Sequence, residues 1–396
     1  MSNFEKLIES AVRDRVVPGV TLLAKDASGN FNYAKVTGKR SLGPGHEETL
    51  TQDTLFSLAS MTKLLTTIAA LQLVERGSIQ LDDEVTPFVP VLARQEILTG
   101  FAQDGSPITK ERSNPITLRQ LLTHSAGAAY AFTSPLIQQW LQYTGRAEFS
   151  STIDEAFDFP LVYESGEGWL YSSSLDWAGK VIEKVTGLTL EDYMQRNIFD
   201  PLGIKGITFW PRKNPELAPR LASISVRDSA TGKTVYKEGT RNFSDGLGEC
   251  FGGQGAFADL RDYLKVLHSI LVDDEKLLKK QTTALIFQPQ LSLASKAALK
   301  IAMKDPSWVV GHFPDTGEYD WGLGGLLIDG DKHDYRRRNT LVWSGAANLF
   351  WFIDRTAGLC GIFGTQVFPH ADPTVEPLIK AFEEEVYTKA GMQQTL

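Results

Sequence analysis

Cysteine is nearly absent: Cys250 and Cys360 are the only two among 396 residues, and their separation fits neither a metal knuckle nor a redox pair. That usage suits a reducing compartment. The six histidines (His46, His124, His268, His312, His333 and His370) are scattered, with no His-Glu-x-x-His spacing. A metalloenzyme is therefore not expected, and neither a metal nor a cofactor is assigned. No Gly-x-Gly-x-x-Gly or phosphate loop occurs. Gly252-Gly253-Gln254-Gly255 lacks the strand that would have to precede one, and a tight turn accounts for it. No serine is flanked as Gly-x-Ser-x-Gly; Thr123-His124-Ser125-Ala126-Gly127 comes nearest and lacks the first glycine.

Long apolar runs are missing too. None reaches the roughly 18 residues of a membrane span, so no membrane partner is expected. Phe4, Leu7, Ile8, Ala11 and Val12 form one face of an amphipathic N-terminal helix, not an apolar signal core, and the cytoplasm is the expected location. The net charge of −8 is spread along the chain without a basic stripe, which disfavours nucleic acid as a partner. Arg336-Arg337-Arg338 is flanked by Asp331 and Asp334 and reads as a solvated loop.

What the chain does have is one Ser-x-x-Lys, at Ser60 and Lys63, opening an apolar helix. Residues three apart share a helix face, so hydroxyl and amine can meet. Leu64, Leu65, Ile68, Ala69, Leu71, Leu73 and Val74 make that helix apolar nearly all round, hence buried. A buried lysine is costly unless it has a partner or a task, and desolvation favours the neutral amine that can serve as a base. Serine becomes a nucleophile only with such a base beside it.

The rest of the chain supplies a frame. Residues 19–25 and 31–36 read as a hairpin around a turn containing Gly29, and residues 38–54 as loop. The Ser60 helix ends at Gly77, and residues 99–115 read as a polar excursion. From Thr117 to Pro201 the pattern is helical, including Leu175–Val185 stopped at Gly187. Short strands return at 206–210, 222–226 and 234–237, followed by helices at 260–272 and 276–290. Strands at 321–328, 340–343, 349–353 and 359–366 come next, and a helix at 374–390 closes the chain. The expected class is α+β: an antiparallel sheet flanked by helices, with a mainly helical insertion. Residues 1–80 and 205–396 would build the sheet domain and 81–204 the helical one, with the active site between them.

Two further segments carry chemistry. Trp169-Leu170-Tyr171-Ser172-Ser173-Ser174 puts a tyrosine at a helix entry, where Ser172 to Ser174 can cap the helix. Trp343-Ser344-Gly345-Ala346 ends a strand with small residues, which lets a substrate approach backbone N–H donors closely.

Ser60-x-x-Lys63, Tyr171 and the 343–346 strand, in that order, resemble the serine β-lactamase and penicillin-binding-protein superfamily. Within it the chain is similar to the class C β-lactamase-related esterases and transesterases. Ala59–Ile68, Leu175–Lys180, Glu249–Gly255 and Lys265–Ser269 extend the likeness. The resemblance implies the β-lactamase/transpeptidase-like fold, Ser60 as nucleophile, Lys63 as its base partner and Tyr171 as proton shuttle. It implies the backbone N–H groups of Ser60 and Ala346 as the oxyanion hole, and Trp343, Ser344, Gly345, Ser173 and Trp169 as substrate contacts. Phe350 is open between pocket wall and core.

Two departures bear on the substrate. Trp343 stands where β-lactamases have a lysine for the β-lactam carboxylate, and Tyr171-Ser172-Ser173 replaces their Tyr-x-Asn. Both favour an ester or thioester with an apolar acyl group over an antibiotic. The implied activity is acyl transfer, in fungal secondary metabolism, from a thioester or ester donor (an acyl carrier protein or a CoA thioester) to a small-molecule alcohol. A carboxylesterase with the same site is the alternative, and a non-catalytic binding relative the third, disfavoured by the intact Ser60, Lys63 and Tyr171.

Overall fold

The computed structural model describes residues 2–44, 48–147, 149–242 and 244–391; His46 lies outside them. Its centre is a seven-stranded antiparallel sheet drawn from both ends of the chain. The early hairpin forms as expected from β1 (Gly19–Asp26) and β2 (Asn32–Gly38), paired from Gly19 opposite Gly38 to Lys25 opposite Asn32. The late strands are β3 (Tyr319–Trp321), β4 (Leu326–Ile328), β5 (Leu341–Gly345), β6 (Leu349–Asp354) and β7 (Leu359–Gly364). They run in sequence across the sheet, and β7 then pairs with β1, Thr21 opposite Gly364.

Five helices matter most for the site: α1 (Asn3–Arg13), α2 (Thr62–Glu75), α3 (Ser174–Thr186), α4 (Leu260–Val272) and α5 (Glu376–Lys389). Ser2 and Glu5 close a capping box that starts α1, and Gly187 ends α3 in the left-handed conformation. Successive strand residues face opposite sides of a sheet. On β7, Phe363 meets Phe382 of α5 with ring centroids 6.2 Å apart. The Cβ that Gly364 lacks would lie 2.2 Å from Leu260 of α4. So α5, with α1 against it through Phe4 and Phe382, covers one face, and α4 covers the other. α2 is buried at every position from Thr62 to Leu73 and packs against α3.

Several expectations are corrected. The run 321–328 is not one strand: Gly322 to Gly325 turn the chain between β3 and β4, with Gly324 at φ +104°. An unbroken apolar run hides a turn when its glycines are as buried as its leucines. The polar excursion after residue 99 is a hairpin, Ile97–Phe101 with Pro107–Lys110, bulged between Leu98 and Gly100. Strand Phe257–Asp259 and helix Leu293–Ala302 carry too little pattern to be foreseen. Ser173 takes the N-cap position of α3, but no side-chain cap bond forms. The carbonyl of Ser173 accepts from Asp176 N–H instead, at 2.9 Å.

Arg336 is the largest departure. It is fully buried, not solvated, and its Nε and Nη2 donate to both oxygens of Glu383 on α5, at 2.8 and 2.6 Å. Its Nη1 donates to the His312 carbonyl at 2.9 Å, and Phe313 and Phe350 lie against its guanidinium. This fork ties the β4–β5 loop to the C-terminal helix. Removing one partner of a buried pair strands the other charge. Glu383→Ala should lower the unfolding free energy by about 3–5 kcal/mol in urea titrations; a loss below 1 kcal/mol would mean that water reaches Arg336.

Candidate active site

Ser60 lies in a tight turn, Ala59–Met61, between the short strand Leu55–Ser57 and α2. The turn is pinned from three sides. Leu58 N–H donates to the Ala256 carbonyl at 2.9 Å, Ala256 N–H to Thr62 Oγ1 at 3.1 Å, and the Tyr263 hydroxyl to the Met61 carbonyl at 2.8 Å. Ala59 sits at φ +44°, a left-handed conformation that costs a residue with a Cβ on the order of 1–3 kcal/mol. That kink lifts the Ser60 side chain out of the packed helix, and Ser60 alone of the turn is only half-buried.

One helical turn on, Lys63 is buried and its Nζ has three polar neighbours. They are the Gly253 carbonyl at 2.7 Å, Ser60 Oγ at 3.2 Å and the Tyr130 hydroxyl at 3.3 Å. The carbonyl can only accept, so one N–H is committed there; in the neutral amine the lone pair is left for a hydroxyl. Burial brings the Lys63 ammonium down to about 7, against the pull of the Asp176 carboxylate. Burial in turn raises Asp176, which accepts from Gly253 N–H at 2.8 Å and from the Tyr130 hydroxyl at 3.3 Å. Gly253 thus bridges the pair through both its backbone groups. A Cβ there would lie 2.4 Å from Asp176 Oδ2, so only glycine fits.

The Tyr171 hydroxyl donates to Ser60 Oγ at 2.6 Å and accepts from Trp343 Nε1 at 3.3 Å. Burial pushes its pKa well up, with those two bonds acting the other way. Tyr171 therefore rests protonated, as a donor to Ser60. The serine's own hydrogen is then free to point at Lys63. A hydroxyl so placed has a base on one side and an acid on the other.

β5 brings in the remaining groups. Gly345 presses so closely on the turn that a Cβ would lie 2.4 Å from the Leu58 carbonyl, which puts Ala346 beside Ser60. Both line one cavity of about 320 Å³, with Tyr171, Trp343 and Ser344. Among the described residues neither the Ser60 nor the Ala346 amide is engaged by a turn or loop carbonyl. Ser173 and Trp169 do not line this cavity. Ser173 is buried at the start of α3, and Trp169 packs behind, 5.7 Å from Trp308 and 5.3 Å from Trp321. Phe350 is core, buried among Arg336, Phe313 and β5. A second cavity of about 670 Å³ shares Tyr130, Phe132 and Gln254 with the first and is also lined by Phe149, Phe157, Leu247 and Arg241.

Tyr130 and Asp176 were not singled out from the sequence. Tyr130 sits among small residues in a loop, and Asp176 looks like any acid in the first turn of a helix. Gly253, within a stretch that reads as a tight turn, holds both the lysine and the acid. No three or more His, Cys, Asp or Glu side chains are grouped to hold a metal ion among the described residues. Nor is any helix among them long and apolar enough to cross a membrane.

Comparisons with known proteins agree over nearly the whole chain. A family model described as Beta-lactamase matches residues 4–393. A lovastatin esterase of Penicillium rubens is 39% identical over 388 residues, 96% of this chain and 97% of that one. A monacolin J acid methylbutanoyltransferase of Aspergillus terreus is 38% identical over 394 residues, 97% of this chain and 95% of that one. The unliganded selenomethionyl structure of simvastatin synthase from Aspergillus terreus superposes with a TM-score of 0.90 at 38% identity, covering 98% of this chain and 97% of that one.

The Lys63 titration can be followed through its 13Cε shift in lysine-labelled protein. A midpoint near 7 is expected, far below that of surface lysines. Asp176→Asn removes the negative charge that favours the ammonium, so the midpoint should fall further; a rise would contradict the assigned coupling.

Proposed function

The chain belongs to the beta-lactamase family, and on that premise we propose that Ser60 is the acyl-carrying nucleophile of a transesterase with Lys63 as base and Tyr171 as acid. The protein is an enzyme of acyl transfer. One observation carries the assignment of roles: Ser60 Oγ is held between the Tyr171 hydroxyl at 2.6 Å and Lys63 Nζ at 3.2 Å, at the edge of an apolar cavity.

In the first half-reaction neutral Lys63 takes the Ser60 proton while Oγ attacks the acyl carbon of a thioester or ester. The oxyanion forms against the Ser60 and Ala346 amides. When the intermediate collapses, the bond to the leaving group breaks and Tyr171 gives that group its proton. The Lys63 ammonium, 4.7 Å from the Tyr171 ring centroid, steadies the phenolate until the second half, in which Tyr171 takes the alcohol's proton and Lys63 returns its own to Ser60 Oγ. In the second half a small-molecule alcohol attacks the acyl-serine and the same groups act in reverse. Trp343, in place of a carboxylate-binding lysine, spends its N–H on Tyr171 and presents an apolar wall, which supports an ester or thioester donor over a β-lactam.

The acceptor would lie in the larger cavity, whose aromatic walls suit an apolar skeleton and whose lining includes the exposed Arg241. Related acyltransferases are named for acceptors that are acids, monacolin J acid and ML-236A carboxylate, and a carboxylated alcohol would be met here by Arg241. The donor would be a carrier-protein or CoA thioester. Two buried free cysteines suit a cytoplasmic setting. In this scheme residues 81–204 act as a mainly helical unit set against the sheet built by 1–80 and 205–396, with the reaction at their boundary. Carboxylester hydrolysis is the second reading, favoured by the 39% identity to an esterase.

Incubation with an activated acyl ester should add one acyl group to the intact mass of the protein. No adduct should form on Ser60→Ala, and an adduct that survives that change overturns the assignment. Tyr171→Phe should lower kcat about 10²–10⁴-fold. With a panel of apolar alcohols, faster decay of the acyl-enzyme and a new ester mark a transferase. Equal decay with and without every alcohol, giving free acid only, marks a carboxylesterase.

A further inference from the structure

The segment Thr123–Gly127, a near miss for a nucleophile elbow, holds no nucleophile, yet it is bonded along its length to residues 162–172. Val162 N–H donates to the Gly127 carbonyl and Gly166 N–H to that of Ser125, each at 2.8 Å. Ser165 Oγ donates to the Ala126 carbonyl at 2.8 Å. At its start stands His124, fully buried at φ +59°, a backbone state that a residue with a Cβ holds only when its surroundings demand it.

His124 grips both neighbours of Tyr171. Its carbonyl accepts from Leu170 N–H at 3.2 Å and from the Tyr163 hydroxyl at 2.8 Å. Its ring Nδ1 accepts from Ser172 N–H at 3.2 Å, with Ser172 Oγ at 3.1 Å. The imidazole also packs on the Tyr171 ring, centroids 4.7 Å apart. A backbone N–H can only donate, so Nδ1 carries the lone pair and Nε2 the hydrogen. Among the described residues Nε2 finds no oxygen or nitrogen partner, and the ring stands edge-on to Trp321 at 5.0 Å. Burial, with the Lys63 charge, holds the imidazole well below its usual pKa and neutral, and its one lone pair is taken by Ser172 N–H.

We infer that His124 is a positioning residue for Tyr171, clamping Leu170 and Ser172 on either side so that the tyrosine hydroxyl is held at bonding distance from Ser60 Oγ. This rests on the assignment of Tyr171 as the proton donor. A displacement of about 1 Å at such a group can cost about 10²-fold in rate.

His124→Leu removes the ring acceptor at similar bulk. His124→Asn restores an acceptor near the Nδ1 position and tolerates the left-handed backbone. Acylation by an activated ester should show kcat down about 10- to 100-fold in His124→Leu. KM should stay within about twofold, and His124→Asn should recover most of the rate. In a Tyr171→Phe background, His124→Leu should cost nothing further. Wild-type kcat in His124→Leu, or the same fold-loss in both backgrounds, overturns the inference. Should His124→Leu fail to fold, His124→Gln, whose acceptor lies beyond the Nδ1 position, takes its place with the same outcomes. Full activity in Tyr171→Phe alone would instead remove the role of Tyr171, and the clamp with it.

Discussion

The exclusion of water from around Lys63 is the constraint on which the site depends. In water a lysine is an ammonium and a tyrosine a phenol, so neither accepts a proton from serine at neutral pH. Burial pushes both groups toward their uncharged forms, but in chemically opposite senses. It makes lysine a base by pulling its pKa down, and it keeps tyrosine an acid by pushing its pKa up. One physical cause thus sets up two complementary roles on either side of a single hydroxyl.

Desolvation on that scale has to be balanced by bonds, and these come from stretches remote in sequence. The Lys63 amine of α2 is bonded by Tyr130 from a loop and Gly253 from a glycine-rich turn, and Asp176 of α3 holds both of those partners in turn. The sheet contributes from another direction, as Gly345 of β5 presses on Leu58 just before the nucleophile. Both backbone approaches need a residue without a Cβ. The glycines at 253 and 345 are therefore as specific to the site as its charged groups.

What could be read from the sequence was whatever has a local signature. The early hairpin, the bounds of α4, the late strands and the Ser60–Lys63 pair all declare themselves within a few residues of spacing. What could not be read depends on partners far along the chain. Asp176 looks like a solvated first-turn acid until Gly253 and Tyr130 arrive. Arg336 looks solvated because its local neighbours are acidic, whereas its partner, Glu383, lies 47 positions on. His124 carries no motif for clamping. The glycines that turn β3 into β4 vanish inside an apolar run for the same reason: burial is decided by tertiary neighbours, and pattern records only the near ones.

The joining of β7 to β1 also has a consequence in time. Ribosomes add about 5–20 residues per second, so Ser60 and Lys63 emerge tens of seconds before β5 and Ala346 exist. Until then the strand end that carries Ala346 is missing, and its amide is not there to meet an oxyanion. Only when the last strands close the sheet against the first hairpin is the site complete.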